Sequence, residues 1–446
     1  MKLTSYAHVE PYLSGYIATG PLELYVGDRG LQRVKHLLSL LGDPQEKIKV
    51  VHIAGTSGKG STAYMISHLL ISLGKKTALH LSPHLIDIRE RAQINNALIP
   101  EEAYVQYLNE IIPAIESMKA SVFGSPSYFE ILTALSYTIA FREKVDYMVV
   151  ETGLGGLYDA TNSVSNANKV CVITRIGFDH MHILGDTLPK IAVQKAGIIH
   201  EGNIVISSDQ EPSVQGVLVS KTKENMGTLH VVSPGRAYPQ TNFSETETIF
   251  DFFSEGVSFT HLHCSLVGMY QVENVSLALE TVAFLSQRDH FAFSEDVVRS
   301  SLKSAHFLGR FDIRRIDGKT VILDGAHNPQ KMEALVTSLK QIYPEKKFHF
   351  LVGFSKAKDF MSMMKLIIPL ASCITITQFS TDTNDMIHLS QPADRIVAAL
   401  VHLGFSSFEV ITGPHRAMEH VLASGDSHIV VTGSLYLLGE LYKNIA

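Results

Sequence analysis

Seven consecutive residues, Gly55-Thr56-Ser57-Gly58-Lys59-Gly60-Ser61, make up the stretch best suited to chemistry in this chain. Small residues let backbone N–H groups approach a phosphate closely, and a helix beginning there adds its positive end. Lys59 is placed to neutralise terminal phosphates, and the hydroxyl of Ser61 or Thr62 to hold Mg2+ beside them. The spacing departs from the usual phosphate-loop pattern, because Gly60 follows the lysine and Ile53 stands where the first glycine belongs. A plain glycine-rich turn is the rival reading. The apolar strand before the run and the helical pattern after it favour the phosphate loop.

Other reactive side chains fall where strands should end. Glu151 closes the apolar run 147–150, which sets its carboxylate at a sheet edge where Mg2+ takes oxygen ligands. A helix cap or a surface acid is the alternative there. Asp179-His180 follows the run 170–174 by a short loop, an unusual position for a merely structural histidine. Asp324 ends the strand-like run 320–324, Gly325 turns the chain, and Pro329 suits the first turn of a helix. A capping role for this Asp/Asn segment is compatible with ligand binding. The guanidinium of Arg91 suits a bidentate grip on a carboxylate or acyl phosphate, unless it is a solvated surface group. Ser434 is equally suited to cap a helix after the run 428–432.

The elements that must position these groups follow from periodicity. Short β-branched runs at 50–54, 147–150, 170–174 and 203–207 read as buried parallel strands. Helical patterns at 62–73, 129–141 and 188–196 lie between or beside them. Strands alternating with helices imply a doubly wound α/β sheet with ligands beyond its carboxyl ends. From 229 to 267 the texture shifts to short alternating runs around Gly256, expected to be antiparallel hairpins decorating the same domain. A helix over 271–286 resumes the first rhythm. The pattern breaks near 304–310, then restarts with strands at 320–324, 348–352, 373–377 and 428–432 and helices at 330–342 and 391–403. The expected division is 1–305, a nucleotide-binding domain, and 306–446, a smaller Rossmann-like domain.

Bulk composition narrows the class. The 446 residues are 45% hydrophobic and 18% charged, ample for more than one core. A net charge of −6 leaves no footprint for nucleic acid, and no run is long and apolar enough for a membrane span. Three scattered cysteines, Cys171, Cys264 and Cys373, argue against a disulfide framework and for a reducing cytoplasm. They are expected to be buried thiols.

The variant loop resembles that of the Mur ligase superfamily, and the rest of the chain resembles the folylpolyglutamate synthase and dihydrofolate synthase family. The resemblance rests on an ordered series: Gly42-Asp43-Pro44-Gln45, Ser82-Pro83-His84-Leu85, Arg89-Glu90-Arg91, Phe129-Glu130, Glu151-Thr152-Gly153-Leu154-Gly155-Gly156 and Asp159-Ala160-Thr161-Asn162. It continues through Ile176-Gly177-Phe178-Asp179-His180, Lys195-Ala196-Gly197-Ile198, Gln271 with Asn274, Gly309-Arg310-Phe311 and Asp324-Gly325-Ala326-His327-Asn328-Pro329. It implies a Mur ligase-type central domain and an ATP-dependent ligase that adds L-glutamate to a folate or pteroate carboxylate through an acyl phosphate. It implies that Glu151, His180 and Ser82 share metal sites with Ser61. It places Gln271, Asn274, Arg310 and Asp324 at the nucleotide, His327 near the phosphates or incoming amino acid, and Ser434 near the incoming substrate. For Lys195, it implies a carbamate formed with CO2 that supports the metal shell.

Four positions depart from the family pattern: Ser57, Leu157-Tyr158, Tyr270 and Leu308. A ligase acting on a cell-wall precursor is the nearest rival, followed by a nucleotide switch and a catalytically dead binding module. The switch needs neither the 324–329 segment nor a second domain. The expected partners are ATP, glutamate and a folate or pteroate, with no nucleic acid, no membrane and a monomeric chain.

Overall fold

Strands buried on both faces form where β-branched and aromatic residues run uninterrupted, and two such sheets carry this molecule. The computed structural model describes residues 2–17, 27–239, 241–381 and 388–445. The first sheet is assembled from β1 (Val50–Ala54), β2 (Thr77–His80), β3 (Gln93–Ile94), β4 (Tyr147–Glu151), β5 (Val170–Ile173), β6 (Ile204–Ser208) and β7 (Thr228–Val232). Their order is β3-β2-β4-β1-β5-β6-β7, all parallel except β3. β1 and β4 are buried throughout.

Alternate residues of these strands feed different cores. Val51, Ile53 and Val149 pack under α1 (Lys59–Ser72) and under α4 (Met269–Asp289). Val50, Met148 and Val150 pack on the opposite side with α2 (Tyr128–Arg142). A capping box starts α2: Ser127 accepts from the Glu130 amide, and the Glu130 carboxylate returns to the Ser127 amide. The helix α3 (Leu188–Ala196) has the expected bounds and is capped by Thr187.

The hairpin expectation needs one correction. β7 is a parallel strand of the main sheet, so the antiparallel segment begins later. It comprises β8 (Thr241–Phe243), β9 (Thr248–Ser254) and β10 (Val257–Cys264), with Glu255-Gly256 as a two-residue turn between the last two. Gly256 has φ +76°, which a side chain resists. Phe250, Phe252, Phe259 and Leu262 turn toward the core under α1 and α4.

The second sheet contains β11 (Asp312–Ile316), β12 (Lys319–Leu323), β13 (Phe348–Val352), β14 (Ala371–Ile376), β17 (Phe408–Val410) and β18 (His428–Thr432), with a small ribbon, β15 (Ser380–Thr381) and β16 (His388–Leu389), beside it. Its order is β11-β12-β18-β13-β14-β17, parallel apart from the β11–β12 pair. Phe348, Phe350 and Val352 face α5 (Pro329–Ile342). Leu351, Ile429 and Val431 face α6 (Pro414–Ala423) and α7 (Leu435–Ile445). Among the described residues, no helix is long and apolar enough to cross a membrane.

Candidate active site

The loop after β1 turns sharply because two glycines there admit no side chain. A Cβ on Gly55 would lie 1.9 Å from Thr174 Oγ1, and one on Gly58 would lie 2.1 Å from Asn274 Oδ1. Gly58, at φ +90°, precedes the first residue of α1, so the helix starts at Lys59, three residues before its apolar pattern does. The amides of Thr56 and Ser57 both donate to Arg175 O, at 3.0 and 3.2 Å. Those two hold the loop in place. The unpaired amides that begin α1 remain for a phosphate.

The acidic side of the site is built from β4 and the loop after β2. Glu151 is buried, and its Oε2 accepts from the Ser82 amide at 3.1 Å. Burial raises its pKa, opposed by the nearby charge of Lys59 and by the Ser82 amide. The hydroxyls of Ser61 and Ser82 are buried and find no protein partner among the described residues. Two orphaned hydroxyls beside a carboxylate are an oxygen donor set of the kind Mg2+ takes. The residues present therefore fit that ion.

The opposite wall comes from the second sheet. Asp324 Oδ2 accepts from Tyr270 OH at 3.0 Å and from the Phe311 amide at 2.9 Å, and its Oδ1 accepts from the Ala326 amide at 2.9 Å. His327 Nδ1 donates to Gly325 O at 2.8 Å, which leaves Nε2 to accept from Lys331 Nζ at 2.9 Å. Asn328 caps α5 by accepting from the Lys331 amide at 2.9 Å. One cavity of about 130 Å³ joins both walls, lined among others by Ser57, Lys59, Glu151, Asn274, Arg310 and Asp324. It lies at the carboxyl ends of β1, β4 and β12, where an α/β sheet gathers ligands.

A phosphate loop facing a strand-end aspartate across two sheets is matched by known proteins along almost the whole length. The Mur ligase middle domain profile matches residues 53–282, and the dihydrofolate synthetase C-terminal domain profile matches 310–444. The dihydrofolate synthase/folylpolyglutamate synthase of Bacillus subtilis is 30% identical over 420 residues, covering 93% of this chain and 95% of that protein. The chain belongs to the folylpolyglutamate and dihydrofolate synthase family of Mur ligases. Mycobacterium tuberculosis folylpolyglutamate synthase complexed with ADP superposes with a TM-score of 0.87 at 26% identity, covering 98% of this chain and 97% of that one. An FPGS–AMPPCP–folate complex superposes at 0.81 and 26% identity, covering 99% and 100%. The protein is accordingly an ATP-dependent ligase of folate metabolism.

The expected site residues do not all reach the cavity. Gly55 carries the carbonyl that Lys195 Nζ donates to, at 2.7 Å, and Lys195 is buried rather than solvated. Burial first, then the charge of Lys59, holds the Lys195 pKa well below that of a free lysine. Thr62 is turned toward Asn274 Oδ1, at 3.5 Å, while Ser61 lines the cavity. Gln271 accepts from Asn274 Nδ2 at 3.0 Å, and its own Nε2 is orphaned among the described residues. His180 Nε2 faces Lys358 Nζ at 3.4 Å and Asp179 Oδ1 at 3.7 Å. Arg91 is wholly buried, donating from Nε to His84 Nδ1 at 3.0 Å and stacking over Tyr128. This excludes the surface reading and places it outside the residues lining the cavity. Ser434 caps the start of α7, accepting from the Tyr436 amide at 3.1 Å.

Two of the four departures from the family pattern bridge the two sheets. Ser57 Oγ donates to Gln330 Oε1 in α5 at 2.9 Å, and Tyr270 in α4 reaches Asp324, so both tie elements around one sheet to elements around the other. Leu308 is partly buried and packs against the core beneath α6 and α7. Leu157 donates its amide to Gln194 O at 2.7 Å, and Tyr158 is exposed.

Two lysines of the site, Lys331 and Lys358, are not singled out by the sequence, and their partner Asp179 shows why they matter. Asp179 accepts from Lys358 Nζ at 2.8 Å and from Asn328 Nδ2 at 3.1 Å, bridging the two sheets. Burial alone would raise its pKa, but Lys358, His180 and Lys331 hold it well below the usual carboxylate range. Lys358 follows β13 by a short loop, so strand-end position was its one available clue.

Lys331 gives the ligase a pH signature. Burial, then the charge of Lys59, lowers its pKa from 10.5 to about 7, with Asp179 opposing. ATP phosphates favour the ammonium, so ATP binding should take up a proton, and affinity should fall as pH rises from about 7 toward 10.5. In the same window the unfolded chain holds more protons, so this group makes the ligand-free fold more stable as pH rises. Calorimetry in two buffers of different ionisation heat should detect the uptake, and Lys331→Met should abolish it. A second expectation concerns Glu151→Gln, which keeps the shape and removes the charge. The Mg2+ concentration for half-maximal rate should rise at least about tenfold. Equal Mg2+ dependence in both proteins would remove Glu151 from the metal site.

Proposed function

We propose that the enzyme joins the amine of L-glutamate to a carboxylate of dihydropteroate, tetrahydrofolate or its polyglutamates. The single observation that supports this best is the cavity shared by the 55–61 loop and the 324–331 segment, whose lining suits the phosphates of ATP between two sheets. The γ-phosphoryl group passes to the substrate carboxylate, ADP leaves, the amine attacks the acyl phosphate, and phosphate departs. Lys59 and the first amides of α1 hold the phosphates, and positioning with charge neutralisation supplies most of the acceleration.

Asp324 spends three of about four carboxylate acceptor positions on its own chain, leaving one for a nucleotide hydroxyl. Arg310, Asn274 and Gln271 complete the nucleotide contacts, His327 stands by the phosphates or the incoming amino acid, and Arg91 and Ser434 serve the carboxylate substrates. Ser61, Ser82, Glu151 and His180 would hold Mg2+, which supplies neutralising charge at the phosphates when bound. Lys195 as a carbamate would support that shell. The chain is divided at 305/306 into a nucleotide-binding domain and a closing one, whose approach excludes the water that hydrolyses acyl phosphates. A cytoplasmic monomer fits this work.

ADP formation should be assayed with dihydropteroate, tetrahydrofolate and UDP-linked peptides, each with and without glutamate. Glutamate-dependent ADP release with a pteroate or folate is the expected result. Release with the UDP-linked peptides alone would move the enzyme to the cell-wall branch.

A further inference from the structure

A second group of reactive side chains lies at the other end of the second sheet. His349 is the second residue of β13, and Cys373 is its register partner on β14. Thr375, two residues on, is paired with Glu409 of β17. Register partners and residues two apart share one face of a parallel sheet, so all four project to the same side. His349 alternates with Phe348 and Phe350, and that side is the one covered by α6. From α6, His420 Nε2 meets Glu409 Oε1 at 2.7 Å. The ATP cavity is reached past the opposite, carboxyl ends of the strands.

The hydrogen bonds around His349 leave one acceptor without a hydrogen. Its Nδ1 lies 3.1 Å from Asp426 Oδ2, and Ser372 Oγ donates to Asp426 Oδ1 at 2.9 Å. A carboxylate accepts only, so Nδ1 carries a hydrogen, and in the neutral ring Nε2 keeps its lone pair. That lone pair lies 2.8 Å from Thr375 Oγ1, which also lies 2.8 Å from Glu409 Oε1. One hydroxyl hydrogen cannot serve both. A positive centre among these atoms would resolve the conflict. A donor atom each from His349, Cys373 and Glu409 already lie within 4.8 Å of one another.

We propose that His349, Cys373, Glu409 and His420 form a site for a zinc-class divalent cation, separate from the ATP cavity. Two imidazoles, a thiolate and a carboxylate suit tetrahedral Zn2+, and the thiolate disfavours Mg2+. Donors on tetrahedral zinc stand about 3.3–3.8 Å apart, so the side chains must draw in by about 1 Å. Glu409 and His420 are partly exposed, 33% and 45%, and have room to do so. The Asp426–His349 contact is the carboxylate–histidine support that orients a metal-bound imidazole. Binding releases the thiol proton to solvent and ties edge strand β17 and α6 to the sheet. The site does not depend on the proposed ligase substrates.

Cobalt reports it directly, because only a thiolate-bound Co2+ gives a near-ultraviolet thiolate-to-metal charge-transfer band. The full chain, treated with chelator and free of ATP, should develop that band on titration with Co2+, saturating at one ion per chain. Zn2+ should displace it. Cys373→Ser should lose the band, and Asp426→Asn should weaken binding about 10–100-fold. Should Cys373→Ser fail to fold, His420→Ala at a half-exposed position serves instead, with binding weakened at least about tenfold. Absence of the band in the wild-type chain, or a band and affinity unchanged in His420→Ala and Cys373→Ser, overturns the proposal. Thermal unfolding raised by Zn2+ in wild type but not in His420→Ala supports it.

Discussion

Lys59→Ala should lower turnover by about three orders of magnitude or more while leaving the fold intact. The size follows from removing a preorganised cation from a phosphoryl-transfer site, where one such group is worth about 10³-fold. The intact fold follows from position. Lys59 is the first residue of α1, lines the cavity and is not part of a hydrophobic cluster. The loop owes its shape to other contacts: the Thr56 and Ser57 amides on Arg175 O, and Thr56 Oγ1 donating to Gly177 O at 3.0 Å. Circular dichroism and thermal unfolding should match the parent within a degree or two, since surface substitutions rarely cost more than about 0.5 kcal/mol. Retained ligation by a folded Lys59→Ala protein would refute the phosphate-loop assignment.

The strand, glycine turn and helix at 50–72 were legible because their signal is local: the three are contiguous. β1, β4 and β13 were legible because buried parallel strands spell themselves as unbroken apolar runs. β7 was misread as part of a hairpin because it is an edge strand, with Thr228 and Val231 exposed, and so lacks the unbroken burial of an inner parallel strand. Helix Glu101–Met118 carries Pro113 in its interior, a residue that argues against a helix from sequence alone. The contacts that join the two walls were the least legible. Ser57 with Gln330 and Asp179 with Lys358 are separated by 273 and 179 residues, and no periodicity encodes such a pair. The motif residues of the site were recognisable through a family resemblance, while Lys331 and Lys358 became visible only through their neighbours.

Lys195→Ala should also cost about two orders of magnitude or more in turnover, and here the pattern of rescue matters more than the loss. Lys195 lies in a buried pocket on α3, its Nζ 2.7 Å from Gly55 O, with Lys59 nearby. Burial and that neighbouring charge favour the neutral amine, the form able to react with CO2. Formation of the carbamate from the neutral amine and CO2 releases one proton and leaves an anion, a change that suits a Mg2+ shell. Two readings then separate. If Lys195 acts only by donating to Gly55 O and fixing the loop, Lys195→Arg should keep part of the activity, and added carboxylates should do nothing. If it acts as the carbamate, Lys195→Arg should be as inactive as Lys195→Ala, because a guanidinium cannot carry CO2. Short carboxylates such as formate or acetate should then partly restore Lys195→Ala by placing an anion in the space the truncation opens. Removal of dissolved CO2 should slow the parent enzyme in the carbamate case and leave it unchanged in the other. An active arginine variant, insensitive to both treatments, would reduce Lys195 to a loop support.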